Sequence, residues 1–362
     1  MALLKSMFSL AMLESAISFV VVFAILVVFH ELGHFLAARA FKMPILEFAV
    51  GFGPKIVTIA RQGILEYTLR LYPLGGFVKI RGMEIEEETG DTEDKAPVDE
   101  DSFNKRPVHQ RFAVILAGPL ASLLVGYLGY VLLFAVYGKP SMTAQIGQVM
   151  PGKPAAVAGL RAGDKVVSID GKAVTIDTLV PTIDASKGSP MDFLVADDSK
   201  AERHVVVKAE KDSTGSKDVY RIGVRPTFVF EPCSFGVAWI EAASTTAQYG
   251  SKLVSIVKAG KTKDAVGGPV GIAQTFYALA GTGAQTRIEL LASLSLSLFI
   301  FNMFPIPILD GGHLVLLTIE AIRRKKLSAI NMQRVYLAGA AIMGLLFLTI
   351  MWNDVVKLIA PK

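Results

Sequence analysis

The stretch that decides the fold is Ser15-Ala16-Ile17-Ser18-Phe19-Val20-Val21-Val22-Phe23-Ala24-Ile25-Leu26-Val27-Val28-Phe29-His30-Glu31-Leu32-Gly33-His34-Phe35-Leu36-Ala37-Ala38. It is apolar throughout except for two histidines and a glutamate. Its length is enough to cross a hydrocarbon core roughly 30 Å thick. Three ionisable groups inside such a run are expensive, on the order of 2.5–3.5 kcal/mol for a carboxylate at the centre. A bound metal offsets that cost. His30 and His34 are four residues apart, so on a helix both imidazoles leave from one face.

That spacing supplies two corners of a zinc tetrahedron, and Glu31 stands beside the first ligand. Zinc acidifies water, and the glutamate takes the proton as the water attacks a carbonyl. The motif taken alone, in a chain of 362 residues, is a moderate signal. The rest of the chain sharpens it.

Three further runs are long and apolar. Residues 112–137 and 335–352 carry no charge, and residues 290–319 carry only Asp310. The apolar fraction is 52%, the charged fraction 19% and the mean hydropathy +0.48. That balance excludes an ordinary soluble globule. The reading is a multi-pass α-helical membrane protein with about four transmembrane helices. Its third span is broken by Asn302, Pro305 and Pro307.

The basic residues mark topology. Arg323-Arg324-Lys325-Lys326 fill the loop before the fourth span. Arg39 and Lys42 follow the first, and Lys105, Arg106 and Arg111 precede the second. Short loops rich in Lys and Arg face the cytoplasm, so loops 39–108 and 322–334 are expected there. Both termini and residues 138–286 then lie outside. The net charge of +5 is not gathered into a groove with aromatics, which argues against nucleic-acid binding. One cysteine, Cys233, rules out an intrachain disulfide framework. Residues 1–29 look a little like a signal peptide, but removing them would destroy the His cluster.

Between the spans the character changes. Residues 46–82 read as a β-like segment punctuated by Gly51, Gly53, Pro54, Gly75 and Gly76. It is too apolar for a free loop, and a hairpin dipping into the membrane beside the first span fits it. Residues 84–101 hold ten Asp or Glu and read as a solvated linker. The expected domains are a first membrane half at 1–137, a soluble α+β insertion at 138–230, an amphipathic segment at 231–286 lying at the outer membrane surface, and a second membrane half at 287–362. In the insertion, residues 154–164 read as a short helix closed by a glycine turn, followed by a strand from Val166 to Ile169.

A third ligand is required. Asp310 sits just past the proline break and before Gly311-Gly312, where water can reach it. His313, three residues on, is a competing ligand or a partner of the ligands. His109 and His204 read as surface residues.

These motifs together resemble the site-2 protease family of intramembrane zinc metalloproteases (peptidase family M50), closest to the bacterial RIP metalloproteases of the regulator-of-sigma-E type. The resemblance rests on His30-Glu31-Leu32-Gly33-His34, Gly75-Gly76-Phe77-Val78-Lys79, Ala117-Gly118-Pro119, Gly268-Pro269-Val270-Gly271-Ile272 and Asn302 through Asp310-Gly311. It implies one Zn2+ on His30, His34 and Asp310, with Glu31 as catalytic acid/base. It implies that Asn302, Pro305 and Pro307, with the β-edge at Gly75, Gly76 and Phe77, meet the substrate. The insertion resembles a PDZ domain through Gly159-Leu160 and Gly163-Asp164, and Gly159 and Leu160 would then belong to its peptide site.

The implied partners are membrane lipid and transmembrane substrates such as an anti-sigma factor, already trimmed by another protease, or remnant signal peptides. The implied location is the bacterial inner membrane, with the PDZ domain periplasmic. The resemblance departs at Ser122, where relatives often carry Asn, and in having room for only one PDZ domain; an altered substrate position is expected from Ser122. Two other readings stand beside it: a metalloprotease of another family with Glu320 as third ligand, and a non-catalytic PDZ scaffold, for which a buried Glu31 has no use.

Overall fold

The computed structural model describes residues 2–83, 100–197, 201–212, 219–258, 269–278, 282–326 and 328–359. Most of the acidic run at 84–101, and Gly268, Lys261 and Lys263, lie outside the described residues. The chain divides into two compact units: Met1–Leu133 with Gly236–Lys362, and Phe134–Phe235.

The first unit begins with α1 (Ala2–Ala40), followed by β1 (Ile45–Gln62), β2 (Leu65–Ile80) and α2 (Val108–Tyr137). After the insertion come α5 (Phe235–Lys258), α6 (Pro269–Ala278), α7 (Ala284–Asn302), α8 (Asp310–Arg323) and α9 (Ala329–Ile359). Among the described residues, four helices are long and apolar enough to cross a membrane, within Met12–Ala40, Val108–Tyr137, Ala284–Asn302 and Ile330–Val356. Their outward faces are greasy: Leu345, Leu348 and Trp352 are 69%, 66% and 72% exposed. Apolar area on that scale needs lipid to cover it.

The third apolar stretch is two helices. α7 stops at Asn302, and α8 starts at Asp310. Pro305 and Pro307 cannot donate the backbone bonds a continuous helix needs. Gly311 and Gly312 then let the first turn of α8 press onto the broken segment. A Cβ on Gly311 would fall 2.4 Å from the Met303 carbonyl, and one on Gly312 would fall 2.2 Å from the Ile306 carbonyl.

β1 and β2 pair antiparallel and bend back on themselves. Residues 47–50 are bonded on both sides, with 76–79 and with 66–69, so 76–80 forms an edge. The bends fall at Gly51, Gly53 and Gly75, at φ of +92°, +82° and +123°, where side chains are disfavoured. Phe52, Ile56, Ile59, Ile64 and Tyr72 are exposed on this hairpin. A clasp holds it: Arg70 reaches both oxygens of Glu47 at 2.8 and 2.9 Å and the Gly53 carbonyl at 2.8 Å, and lies over the Phe77 ring at 4.9 Å.

One end of the unit has its own core. Phe35, Ala38, Ile45, Ile80, Val114, Ile115, Leu314 and Leu317 meet there from α1, the hairpin base, α2 and α8. Higher up, α5 packs along the spans. Trp239 meets Tyr127 of α2 at a ring distance of 5.4 Å, and Tyr249 bonds Ser297 of α7 at 2.7 Å. Small residues bring α2 and α7 close: Gly129 faces Ala292, and Gly126 faces Leu296.

The second unit is β-rich. It contains β3 (Lys139–Val149), α3 (Pro154–Ala158), β4 (Lys165–Ile169), β5 (Lys172–Ala173), α4 (Ile176–Ala185), β6 (Pro190–Ala196), β7 (Glu202–Lys208), β8 (Glu210–Asp212), β9 (Val219–Arg221) and β10 (Val224–Glu231). The main sheet runs β10-β3-β4-β6-β7, so β10 and β7 are its edges. The expected short helix is α3, closed by Gly159 in the left-handed region at φ +87°. Asp164 is buried and ties the following turn: it accepts from the Arg161 amide at 2.7 Å and from Arg203 at 2.5 Å. Leu160 is 4% exposed, inside a core with Ile146, Val166, Phe193 and Val207. Its side chain therefore serves packing. The Gly159 carbonyl accepts from Arg203.

Candidate active site

The last third of α1 carries His30, Glu31 and His34. Among the described residues, His30, His34 and Asp310 form the one group able to hold a metal, with donor atoms all within 4.8 Å of one another. Oδ2 of Asp310 lies 3.1 Å from Nε2 of His30 and 3.6 Å from Nε2 of His34. Ligands about 2.1 Å from a tetrahedral zinc stand about 3.4 Å apart, so these separations are those of a coordination shell. Oδ2 is buried and makes no aligned hydrogen bond. A buried carboxylate oxygen without a donor calls for a cation. The donor set and its geometry fit zinc.

The other ring nitrogens are already committed. Nδ1 of His34 donates to the Val114 carbonyl at 2.8 Å. Nδ1 of His30 lies 3.0 Å from the buried Ser122 hydroxyl. With Nδ1 carrying the proton, each Nε2 turns a lone pair toward Asp310, the arrangement that orients metal-binding imidazoles. The Ser122 carbonyl accepts from Ser295 Oγ of α7 at 2.7 Å, so a third helix supports this partner.

Close helix approach makes room for these rings. A Cβ on Gly33 would fall 2.2 Å from the Ala117 carbonyl, and one on Gly118 would fall 2.1 Å from Nε2 of His34. The Ala117-Gly118-Pro119 motif thus supplies the seat of the His34 ring. Its two small residues were visible in the sequence; the ring they hold was not.

Glu31 sits between this cluster and the hairpin edge. The Val78 backbone lies beside its carboxylate. A Cβ on Gly76 would meet the Ala49 carbonyl at 2.6 Å and Val27 at 3.1 Å, and would stand 3.7 Å from the Glu31 Cγ. The edge at Gly75–Val78 is therefore beside the acid. Phe77 stacks on Phe52 at 6.3 Å. Asn302 ends α7 and is half-buried, while Pro305 is exposed. Pro307 is wedged between Gly312 and Gly339 of α9.

The remaining candidates fall elsewhere. His313 bonds the Tyr336 hydroxyl of α9 through Nδ1 at 3.2 Å and is outside the donor set. Glu320 is taken by Arg111 at 2.5 Å. It lies ten residues beyond Asp310, about 15 Å along the helix, and is outside the donor set. His109 is exposed, and His204 pairs with Asp192 at the surface. Ser122, whose hydroxyl was expected to bear on the substrate, instead holds His30.

A HExxH helix in a membrane bundle, with a carboxylate brought in by a broken helix, defines a membrane-embedded zinc metalloendopeptidase. The family described as peptidase family M50 matches residues 18–346, and the chain belongs to that family. It is 32% identical to the zinc metalloprotease RasP of Geobacillus kaustophilus, across 95% of this chain and 98% of that protein. It is 31% identical to the regulator of sigma-W protease RasP of Bacillus subtilis, across 95% and 99%. It is 31% identical to a putative zinc metalloprotease of Brucella suis, across 93% and 94%. The chain is thus a multi-pass membrane metalloendopeptidase that uses zinc.

Proposed function

We propose that this protein cuts peptide bonds within the transmembrane segments of single-span membrane proteins. The observation that carries the reading is the meeting of three features at one place: the His30–His34–Asp310 donor set, Glu31, and the strand-edge segment Gly76–Val78. His30, His34 and Asp310 hold the zinc, which supplies Lewis acidity toward water and the scissile carbonyl. Glu31 takes the proton of the attacking water and passes it to the leaving amine. A helical peptide bond is shielded, so the substrate must unwind before attack. An extended segment can add to the Gly75-Gly76-Phe77 edge by backbone hydrogen bonds, and Asn302 with the Pro305–Pro307 break is the second substrate contact of this proposal.

The wider reading follows charge and kinship. The Lys- and Arg-rich loops at 39–108 and 322–334 face the cytoplasm of a bacterial cell, and the insertion at 138–230 lies on the periplasmic side of the inner membrane. The insertion is a PDZ-like domain that admits substrates already trimmed by another protease. The name of the Bacillus subtilis relative points to a sigma-factor pathway. A membrane-bound anti-sigma factor is therefore the first substrate to test, with remnant signal peptides as the second.

The test uses purified full-length protein in detergent with a single-span substrate. Cleavage inside the span, lost on chelation and regained with zinc, is expected. Cleavage only in extramembrane loops would refute the proposal.

A further inference from the structure

α2 presents one stripe to the metal centre. Arg111, Val114, Gly118 and Ser122 are spaced by three, four and four residues, so they share a helix face. Three of these act on the histidines, as described above. The fourth does not touch the centre. Arg111 is almost fully buried, with 7% of its side chain exposed, and it grips Glu320 of α8, whose side chain is 14% exposed. The grip is two-pronged: Nη1 to Oε2 at 3.0 Å and Nη2 to Oε1 at 2.5 Å. Its Nε donates to the Arg106 carbonyl at 2.9 Å.

This pair is costly where it stands. Two charges have left water, and the cation lies in the first turn of a helix, where the dipole disfavours it. Leu314 and Leu317 already pack α8 into the same core as Val114 and Ile115, so attraction between the helices has another source. What apolar packing lacks is register. Leucines accept a slide of one helix past another; a bidentate fork does not. A slide of one turn would carry Asp310 about 5.4 Å along the axis, far outside ligand distance of His30 and His34.

We infer that Arg111 and Glu320 are positioning residues for zinc: their fork fixes the axial register of α8 and so delivers Asp310 to the histidines. The inference rests on Asp310 being the third ligand. It gives Glu320 a part in metal binding without contact to the metal.

The test measures zinc affinity of the full-length protein in detergent by chelator competition, with circular dichroism as the folding control. Glu320→Gln is expected to weaken zinc about 10-fold or more, because a slipped α8 carries Asp310 away from the histidines. In an Asp310→Asn background the same change should add nothing, because it acts through Asp310. A general loss of packing would weaken zinc in both backgrounds. Where removing one charge prevents folding, the double variant Arg111→Met/Glu320→Leu replaces the pair with apolar groups of similar size. It is expected to fold and still bind zinc weakly.

Wild-type affinity in Glu320→Gln or in the folded double variant, with Asp310→Asn defective, overturns the inference alone. An equal loss in both backgrounds overturns it as well. Wild-type affinity in Asp310→Asn overturns the ligand assignment on which it rests.

Discussion

The Ser122 hydroxyl lies 3.0 Å from Nδ1 of His30, fully buried between α2 and α1. A serine on one span thus sets the ring orientation of a histidine on another. Ser122→Ala removes the acceptor and leaves a buried N–H without a partner. Zinc affinity should fall about 10- to 100-fold, with the helix content unchanged. Chelator competition checks this, and an unaltered affinity would show that the hydroxyl has no hold on the ligand.

Glu31→Gln keeps the volume of the side chain and removes its basicity. Cleavage should drop by about 10²- to 10⁴-fold, the usual share of a general acid–base group. Zinc should remain at one per chain, since the three donors are untouched. A variant that still cut a transmembrane reporter at the normal rate would remove Glu31 from the mechanism.

Gly118→Ala places a methyl group 2.1 Å from Nε2 of His34, the atom turned toward Asp310. Gly33→Ala places one 2.2 Å from the Ala117 carbonyl. Both force α1 and α2 apart, at a cost of about 1–3 kcal/mol. Gly118→Ala should lose zinc outright; Gly33→Ala should lose thermal stability as well as zinc. Metal analysis and melting in detergent separate the two, and normal zinc content in Gly118→Ala would contradict the geometry.

Gly76→Val tests the hairpin edge. The new side chain would strike the Ala49 carbonyl and Val27 and crowd Glu31. Cleavage should fall at least tenfold while zinc content holds, because no metal ligand is within the hairpin. Parallel loss of zinc would mean that the edge supports the metal site and not the substrate.

The insertion begins and ends at one place. Lys139 pairs with Glu231. Residues 138–230 can therefore be replaced by a short Gly/Ser linker. A single-span protein with its outer domain intact, resistant to the parent enzyme, should then be cut. Continued resistance, with a trimmed substrate still cleaved, would leave the insertion without a sieving role.

Much of this was legible in the chain. Four apolar runs gave four spans, because membrane crossing depends on local composition and length. Two prolines in the third run gave the break, because proline acts within its own turn. His30, Glu31 and His34 were recognisable because a helix makes neighbours of residues four apart. The short helix and strand after Pro154 were readable for similar reasons. The glycine turn before Leu160 is visible in the sequence, but the burial of the leucine in the core depends on the sheet beneath it.

The sequence by itself determined the spans, the broken helix and the two histidines with their glutamate, since each is set within a few residues of chain. Only the tertiary structure decided the company they keep. It put Asp310 against His30 and His34, moved His313 onto Tyr336 and Glu320 onto Arg111, and gave Ser122 and the Val114 carbonyl to the imidazoles. Those choices depend on how far one helix has slid or turned against another. That is settled by glycine-lined approach and buried polar pairing between segments as much as 280 residues apart in sequence. No local pattern records it.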